Sequence, residues 1–180
     1  MRFRCLLLLT GFLAAFTAGC DGTKVESKSA ATAAAPTNAP RQFHLNHAQP
    51  RLATVKLWVG PKEIEAEMCL TLQQLATGLM YRPGIKDELG MFFVFPEPQR
   101  AAFYMKNVDF DIDAAYIDAE GIIQEIVRLK KQDVTPVPSK SEAIQYVLET
   151  APGWFERNGI KPGAMIKTSK RTLREEFGFN

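Results

Sequence analysis

The stretch GMFFVF, residues 90–95, is apolar at every position that follows its glycine. A strand with one wet face alternates apolar and polar residues, whereas an unbroken apolar run is typical of a strand that is covered on both faces. We therefore expect residues 90–95 to form a central strand of a sheet, with packed layers on both sides.

The sequence before this strand predicts a hairpin and a short helix. ATVKLWVGPKEIEAEMCL turns at Gly60 and Pro61, and apolar residues then alternate with glutamates, as in a half-exposed strand. Thr71 is followed three residues later by Gln74, a capping-box pattern that predicts a helix from residue 72 to about residue 79.

The sequence after the central strand predicts further strands in AAFYMKN, AAYIDAEGIIQEIVRL, AIQYVLETA and AMIKTSK. The second of these segments contains a hairpin turn at residues 118–121. PGWFERNG indicates a helix of one or two turns, with Pro152 at its start and Gly159 just past its end. The last ten residues are rich in charge, and we expect them to be loose.

These segments amount to about eight strands and two short helices. They predict an α+β, mainly β fold, built on a rolled, largely antiparallel and barrel-like sheet. Residues 51–180 are one domain by size, and we expect the protein to be a monomer.

Residues 1–19 have the pattern of an export signal. Arg2 and Arg4 precede an apolar run at residues 6–16, which is far shorter than the roughly 20 residues of a membrane span. The run ends in TAGC, which resembles a bacterial lipobox, in which the signal is cut before Cys20 and the thiol receives a lipid. We expect a lipoprotein on the periplasmic side of a bacterial membrane. An ordinary secretory signal, giving a secreted periplasmic protein, is the alternative.

Two neighbours of Cys20 refine this interpretation. Thr17 stands where a lipobox usually has Leu, which is a departure from the motif. Asp21 resembles the signal that retains enterobacterial lipoproteins in the inner membrane, so it favours that membrane.

Residues 20–50 are predicted to be the lipidated cysteine followed by a disordered tether, because they are rich in Ala, Thr, Pro and Asn and poor in groups to bury. His44 and His47 in this tether have the spacing of a metal pair. No Cys or third His is near them in sequence, so we interpret them as solvated linker side chains.

The charge balance argues against nucleic-acid binding, and the cysteine content leaves one free thiol in the domain. Arg2 and Arg4 are the only charged residues of the signal, so its removal leaves 20 of the 22 basic side chains against 20 acidic ones. A balanced chain lacks the basic surface that binds nucleic acid, and we expect no such partner. Cys5 leaves with the signal and Cys20 carries the lipid. Cys69 is then alone, and we expect it to be buried and inert.

Common catalytic and cofactor motifs are absent from the sequence, and residues 51–180 contain no histidine. Asp109, Asp111 and Asp113 could hold a hard cation, but Phe110 and Ile112 alternate with them as at a strand end. Methionines with Cys69 could hold Cu(I), although methionine more often fills a core. We expect neither a metal nor a cofactor.

A resemblance to a known family rests on GLMYRPGI, ELGMFFVFPEP, AFYMKNVDFDIDAAYIDAEGII and YVLETAPGWFERNGIKPG, in this order between residues 65 and 165. The chain closely resembles the domain of unknown function 192 family. This implies a compact β-rich fold, often exported, with no established activity. The family pattern falls on Gly78, Leu79, Met80, Arg82, Gly90, Met91, Phe95, Met105, Lys106, Asn107, Asp113, Gly121 and Gly153.

The chain departs from the family pattern at three positions. Tyr104 stands where the family usually has Trp, Val108 replaces a Thr, and Asp111 replaces a Pro. If that Thr hydroxyl served chemistry in the family, this member would lack it.

The same stretch contains side chains typical of a core and two cations. We expect a core role for Met80, Met91, Phe93, Phe95, Phe103 and Met105. Arg82 and Lys106 would be costly among apolar neighbours unless they are paired, and Asp113 or Asp111 is the expected partner. A structural ion pair and a shallow anion-binding pocket both remain open.

The leading hypothesis for function is a non-enzymatic binding or envelope-maintenance module with a small pocket lined by Arg82, Tyr104, Lys106 and Asn107. Its ligand would be an unknown small molecule or an envelope protein. We expect Arg82 to be structural, fixed to Asp113, and Lys106 to be functional. The alternative is an enzyme in which Asp113 is the base and Arg82 or Lys106 stabilises an oxyanion. A partner-docking module would require a large exposed apolar patch.

Overall fold

The structure is a computed structural model that describes residues 43–169 and 171–178. The predicted signal, the predicted lipidation site Cys20 and most of the predicted tether lie outside these residues. The elements are β1 (Thr54–Val59), β2 (Lys62–Cys69), α1 (Leu72–Thr77), β3 (Leu89–Gln99), β4 (Ala102–Phe103), β5 (Ile112–Asp118), β6 (Ile123–Leu129), β7 (Val137–Pro138), β8 (Ile144–Thr150), α2 (Trp154–Arg157), β9 (Ile166–Thr168) and α3 (Leu173–Phe177).

Seven strands form one curled sheet in the order β6-β5-β8-β3-β2-β1-β9, and β4 pairs with β7 in a small second sheet. Neighbours in the large sheet are antiparallel except β2 and β3, which are parallel and are connected through α1. The predicted mainly β, largely antiparallel fold is confirmed. The segment GMFFVF lies in β3, which is covered by neighbours on both edges as expected.

The two edges of the large sheet meet beside the hairpin turn between β5 and β6. Ile122 and Met165 form an isolated bridge, and the Ile166 amide donates to the Gly121 carbonyl at 2.7 Å. Gly121 has a φ of +86°, and a Cβ there would lie 2.5 Å from the Ile166 carbonyl oxygen. Only glycine fits this position without strain, because it tolerates positive φ and leaves room for the close backbone.

The sheet has a hydrophobic core on each face, which explains the uninterrupted apolar sequence of β3. Phe92 and Val94 point into the first core, inside the curl, while Met91 and Phe93 point into the second core on the other face. The second core is covered by α1, the turn that follows it and the small sheet. Its buried side chains include Cys69, Leu79, Met80, Met105, Ile112, Tyr116 and Val147.

Helix α1 begins as the sequence predicts and ends slightly earlier. Thr71 accepts from the Gln74 amide, and the Gln74 side chain accepts in return from the Thr71 amide. The helix stops at Thr77, with Gly78 as its C-cap. No helix in the described part of the chain is both long and apolar enough to span a bilayer.

The prediction of a loose C-terminus is wrong for residues 171–178. Thr172 and Glu175 form a capping box, which starts α3. Leu173 and Phe177 are four residues apart and share one face of this helix. Leu173 is fully buried in the first core, and the Phe177 ring lies 5.7 Å from that of Phe92. The charged residues between them lie on the solvent-exposed face of this amphipathic helix.

Cys69 is fully buried, as predicted. Strand alternation places it on the same face of β2 as Glu67. That face is exposed to solvent only near the start of the strand. At the end of β2 the second core covers it, with Phe93 as the neighbour on β3. Burial raises the pKa of the thiol, which therefore stays protonated at neutral pH.

The ordered chain begins before residue 51, the predicted start of the domain. The Leu45 amide donates to the Thr77 hydroxyl at 3.0 Å, and the Gln49 side-chain amide donates to the Gly78 carbonyl at 2.8 Å. Gln49 is buried. Residues 43–50 are thus attached to the end of α1, while the predicted disorder of residues 21–42 concerns residues that the structure does not describe.

Candidate functional site

A cavity of about 530 Å³ lies in the second core, between the sheet and α1. Its lining is mostly apolar. Glu149 on β8 and Phe93 on β3 form its floor on the sheet, and both are buried. Phe43, Leu72 and Tyr104 are exposed and form its rim. The side walls include Leu75, Leu79, Met80, Ala101, Met105 and Val108.

The sequence motifs at residues 78–80 and 101–105 build opposite walls of this cavity. The turn after α1 brings Leu79 and Met80 to one side, and β4 with the segment that follows it brings Met105 to the other. Tyr104 and Val108, two of the positions that depart from the family pattern, also line it. The stretch singled out in the sequence is therefore both core and cavity wall.

Glu149 is the feature that sequence reasoning missed. It is only 4% exposed and borders the cavity, yet no hydrogen bond or salt bridge to a described residue engages its side chain. Its register neighbours are Met91 on β3 and Ala114 on β5, which provide no polar group. The sequence does contain a signal, because Glu149 is the one charged residue of AIQYVLETA, a segment that the sequence predicts to be a strand.

Burial raises the pKa of the Glu149 carboxyl to about 8, because the charged form loses its water without gaining a partner. Two other titratable groups lie near it in the second core. Burial raises the pKa of Cys69 and of Tyr116, and the negative charge of Glu149 adds to both shifts. At neutral pH all three groups are mainly uncharged, so the inner part of the cavity is apolar and electrically neutral, and Arg100 adds a charge only at the exposed surface.

Arg82 does not pair with Asp113, contrary to the prediction. Its Nη1 and Nη2 donate to the two carboxylate oxygens of Glu67 at 2.7 and 2.8 Å, and both side chains are largely buried. Burial works against the charge of Glu67, but hydrogen bonds from Arg82 and the Leu52 amide outweigh it and lower the pKa. Arg82 also donates to the Pro50 carbonyl at 3.3 Å, so it ties β2 to the chain before β1.

Asp113 belongs to a different cluster on β5. Its carboxylate accepts hydrogen bonds from the Arg128 guanidinium and, at 2.7 Å, from the Gly153 amide at the start of α2. Both oxygens are engaged in holding α2 against the sheet. The enzyme alternative requires Asp113 to lie beside Arg82 or Lys106. The structure does not bring these residues together.

Lys106 and Asn107 lie outside the cavity lining. Lys106 is exposed, and its Nζ is 3.3 Å from Nε2 of His44. Asn107 has a φ of +57° and holds the turn after α1 by two bonds to Tyr81, one from its side chain and one to its carbonyl. Of the five candidate binding residues, only Tyr104 lines the cavity.

The three acids at residues 109–113 take separate partners. Asp109 accepts from the Gln132 side chain, and Asp111 accepts from Lys130 Nζ and the Lys131 amide, each at 2.9 Å. Within residues 43–169 and 171–178, no group of three or more His, Cys, Asp or Glu side chains is placed to hold a metal ion.

The methionines and glycines of the family motif serve the packing of the fold. Met80, Met91 and Met105 are buried in the second core, as are Phe93 and Phe95, while Phe103 is partly buried. A Cβ on Gly90 would lie 2.9 Å from a methyl group of Leu148, so this glycine allows β3 and β8 to pack closely.

Comparison with known proteins places the chain in a family. The model of domain of unknown function 192 (DUF192, uncharacterized ACR) matches residues 55–168, and the chain belongs to this family. The resemblance seen in the sequence is thereby confirmed. No curated protein matches the chain.

Two crystal structures share the fold. A "putative transcription regulator" from Sinorhizobium meliloti 1021 is 25% identical, with a TM-score of 0.64 over 68% of this chain and 98% of that one. A protein of unknown function from Novosphingobium aromaticivorans DSM 12444 is 28% identical, with a TM-score of 0.60 over 81% of this chain and 99% of that one. The chain thus spans nearly the full length of both.

Proposed function

We propose that the protein is a non-enzymatic binding module of the bacterial envelope that takes up a small, largely apolar molecule in the cavity of its second core. The observation that carries this proposal is the cavity itself, together with the unpartnered acid on its floor. Small-molecule sites have volumes of about 300–1,000 Å³ and combine apolar walls with a few polar groups. The cavity, at about 530 Å³, has both features.

The rim supports the same proposal. Exposed apolar side chains that cluster are typical of a binding surface, and Phe43, Leu72 and Tyr104 all line this one cavity. A ligand that enters between them would cover part of their surface as well as the cavity walls.

The proposed location is the periplasmic side of the inner membrane, with a lipid on Cys20. The support is the sequence of residues 1–21, which lie outside the described structure. Fractionation of cells that express Cys20→Ser tests this part. We expect the variant to leave the membrane fraction or to remain uncleaved. A variant that is cleaved and held in the membrane as firmly as the parent contradicts the lipid anchor.

Nucleic-acid binding is not part of the proposal. The regulator description belongs to the Sinorhizobium protein, whereas this chain without its predicted signal carries equal numbers of basic and acidic side chains. Such a balance offers little attraction for phosphates.

Glu149 also favours a second candidate, an enzyme in which this carboxyl transfers a proton, because a raised pKa in a concave site is typical of acid–base catalysts. We prefer binding because the lining provides no activated nucleophile. The Thr77 hydroxyl already donates to Gln73 and accepts from Leu45, and Tyr104 lies at the exposed rim. Chemical turnover of a cavity ligand would favour the enzyme.

Binding of phenylbutanol, a neutral apolar molecule, to the full chain tests the proposal. The chain is held in phosphatidylcholine nanodiscs, since a detergent would compete for an apolar cavity, and empty discs are subtracted. We expect saturable heat of binding that Ala102→Phe abolishes by filling the cavity from its rim. Ala53→Phe, at an exposed alanine away from the cavity, is the matched control and should bind like the parent. Equal binding by both variants would place the ligand elsewhere.

A further inference from the structure

Glu149 has no structural reason to be charged or polar. No hydrogen bond or salt bridge to a described residue engages its side chain, which borders the cavity instead. A buried carboxyl without a partner destabilises a fold, because it loses hydration for nothing in return. A glutamate in this position is therefore explained best by something that enters the cavity.

Among the described residues, no positively charged group pairs with Glu149. On β2 and β5 its titratable neighbours are Cys69 and Tyr116, both uncharged at neutral pH. The Arg82 guanidinium already pairs with Glu67. Arg100 lines the cavity only at the exposed surface, where its Nε donates to the Ser139 carbonyl at 3.1 Å. Helix α1, LQQLAT, contributes no titratable side chain.

Resting on the proposed function, we propose that the ligand is an amine with an apolar body, whose ammonium group pairs with the Glu149 carboxylate on the cavity floor. The apolar body would contact Met80, Phe93 and Met105, which surround the floor. The ammonium would supply the charge and the hydrogen-bond donors that Glu149 lacks. Charge-assisted hydrogen bonds of this kind are among the strongest in proteins.

Binding then displaces a proton. In the empty cavity at pH 7 Glu149 is mostly protonated, because its pKa is about 8. The ligand arrives as an ammonium ion, since alkylamines titrate near a pKa of about 10. Pairing requires the carboxylate, so the carboxyl proton passes to solvent and close to one proton is released for each amine bound at pH 7.

Three molecules with the same phenylbutyl body test the head group: phenylbutylamine, phenylbutanol and phenylvalerate, which carry an ammonium, a hydroxyl and a carboxylate. Calorimetry uses the full chain in phosphatidylcholine nanodiscs, with empty discs subtracted. At pH 8.5 we expect the amine to bind at least about tenfold more tightly than the alcohol, and the carboxylate to bind most weakly. Glu149→Gln, which keeps the shape and removes the charge, should abolish the preference for the amine.

The parent protein provides a second measurement that does not depend on how the variant folds. Between pH 6 and pH 8 the amine's Kd should fall by about fiftyfold in total, close to tenfold over the first unit and less as the pH approaches the pKa of about 8, because deprotonation of Glu149 accompanies binding. Calorimetry in two buffers of different ionisation enthalpy should show the released proton. The alcohol should show neither effect.

Three results would overturn the inference: an alcohol or a carboxylate that binds as tightly as the amine at pH 8.5, an amine preference that survives in Glu149→Gln, or amine binding without proton release. If phenylbutanol binds but the amine has no advantage, only the ligand class is wrong. If none of the three molecules binds, the proposed function fails together with the inference.

Discussion

Arg82 and Glu67 form a two-pronged ion pair in which each terminal nitrogen of the guanidinium meets one carboxylate oxygen, at 2.7 and 2.8 Å. The pair joins the turn after α1 to β2, and Glu67 also holds the Leu52 amide. Arg82 therefore fixes the covering layer of the second core to the sheet. Its role in the fold does not require a ligand.

Breaking this pair from one side should be costly. Arg82→Gln leaves a largely buried carboxylate without its partner, and we expect the free energy of unfolding to fall by about 3–5 kcal/mol. Urea unfolding followed by tryptophan fluorescence, to which buried Trp154 contributes, measures this. Lys106→Met is the control, because Lys106 is exposed, and it should change stability by less than about 0.5 kcal/mol. An Arg82→Gln protein as stable as the parent would contradict the structural role.

Glu149 should make stability depend on pH. Its folded pKa of about 8 lies above the ordinary value of 4.5, so the folded state holds the proton more tightly than the unfolded chain. The contribution of this group to the free energy of unfolding is fully present below pH 4.5 and is lost as the pH rises to about 8. Above that pH the contribution no longer changes. Glu149→Gln removes the decline, and above pH 8 it should be more stable than the parent by up to about 5 kcal/mol.

Urea unfolding of parent and variant at pH 5, 7 and 9 tests this prediction. The difference between the two proteins isolates Glu149 from other carboxyls, such as Glu67, whose lowered pKa makes stability rise with pH in the acid range. A constant difference across the three pH values would show that Glu149 is not held in its neutral form.

Cys69 should react slowly with thiol reagents in the native protein. It is fully buried, so a reagent cannot reach it, and burial raises its pKa, so the reactive thiolate does not form at neutral pH. We expect labelling only on opening of the fold, at least about a hundredfold slower than in urea. The Cys69→Ala variant identifies any signal from other cysteines. Labelling of the native protein as fast as the unfolded chain would place Cys69 at the surface.

The C-terminal helix should contribute to stability. Leu173→Ala removes a fully buried side chain of the first core, and we expect a loss of about 2–4 kcal/mol. Thr172→Ala removes only the N-cap of α3 and should cost about 1 kcal/mol. Lys167→Ala, at an exposed neighbour on β9, is the control. If Leu173→Ala unfolds at the same urea concentration as this control, α3 is not part of the fold.

Local patterns in the sequence predicted most of the elements correctly. Two-sided hydrophobicity identified β3, the Thr71–Gln74 capping box identified α1, and the turn before Gly121 identified the β5–β6 hairpin. These features depend on residues close together in the chain, so their physical cause is visible in the sequence. The same reasoning would have found α3 from Thr172 and Glu175.

Partners that are distant in sequence were not predicted. Arg82 had several acids within reach, and the choice of Glu67 over Asp113 depends on β2 lying beside β3, which residue spacing does not show. The pocket expected at Arg82, Tyr104, Lys106 and Asn107 was misplaced for the same reason. The cavity lies between residues 72–80, residues 93–112 and Glu149, which are far apart in the sequence, and of the four expected residues only Tyr104 lines it.

The pairing of β1 with β9 has a consequence for how the chain matures. Leu57 lies opposite Thr168, so the first strand of the sheet acquires its outer neighbour from almost the end of the chain. Contacts between such distant segments form late, because a long loop must close first. The outer edge of β1 would therefore stay unpaired, and open to edge-to-edge association, until β9 docks on it.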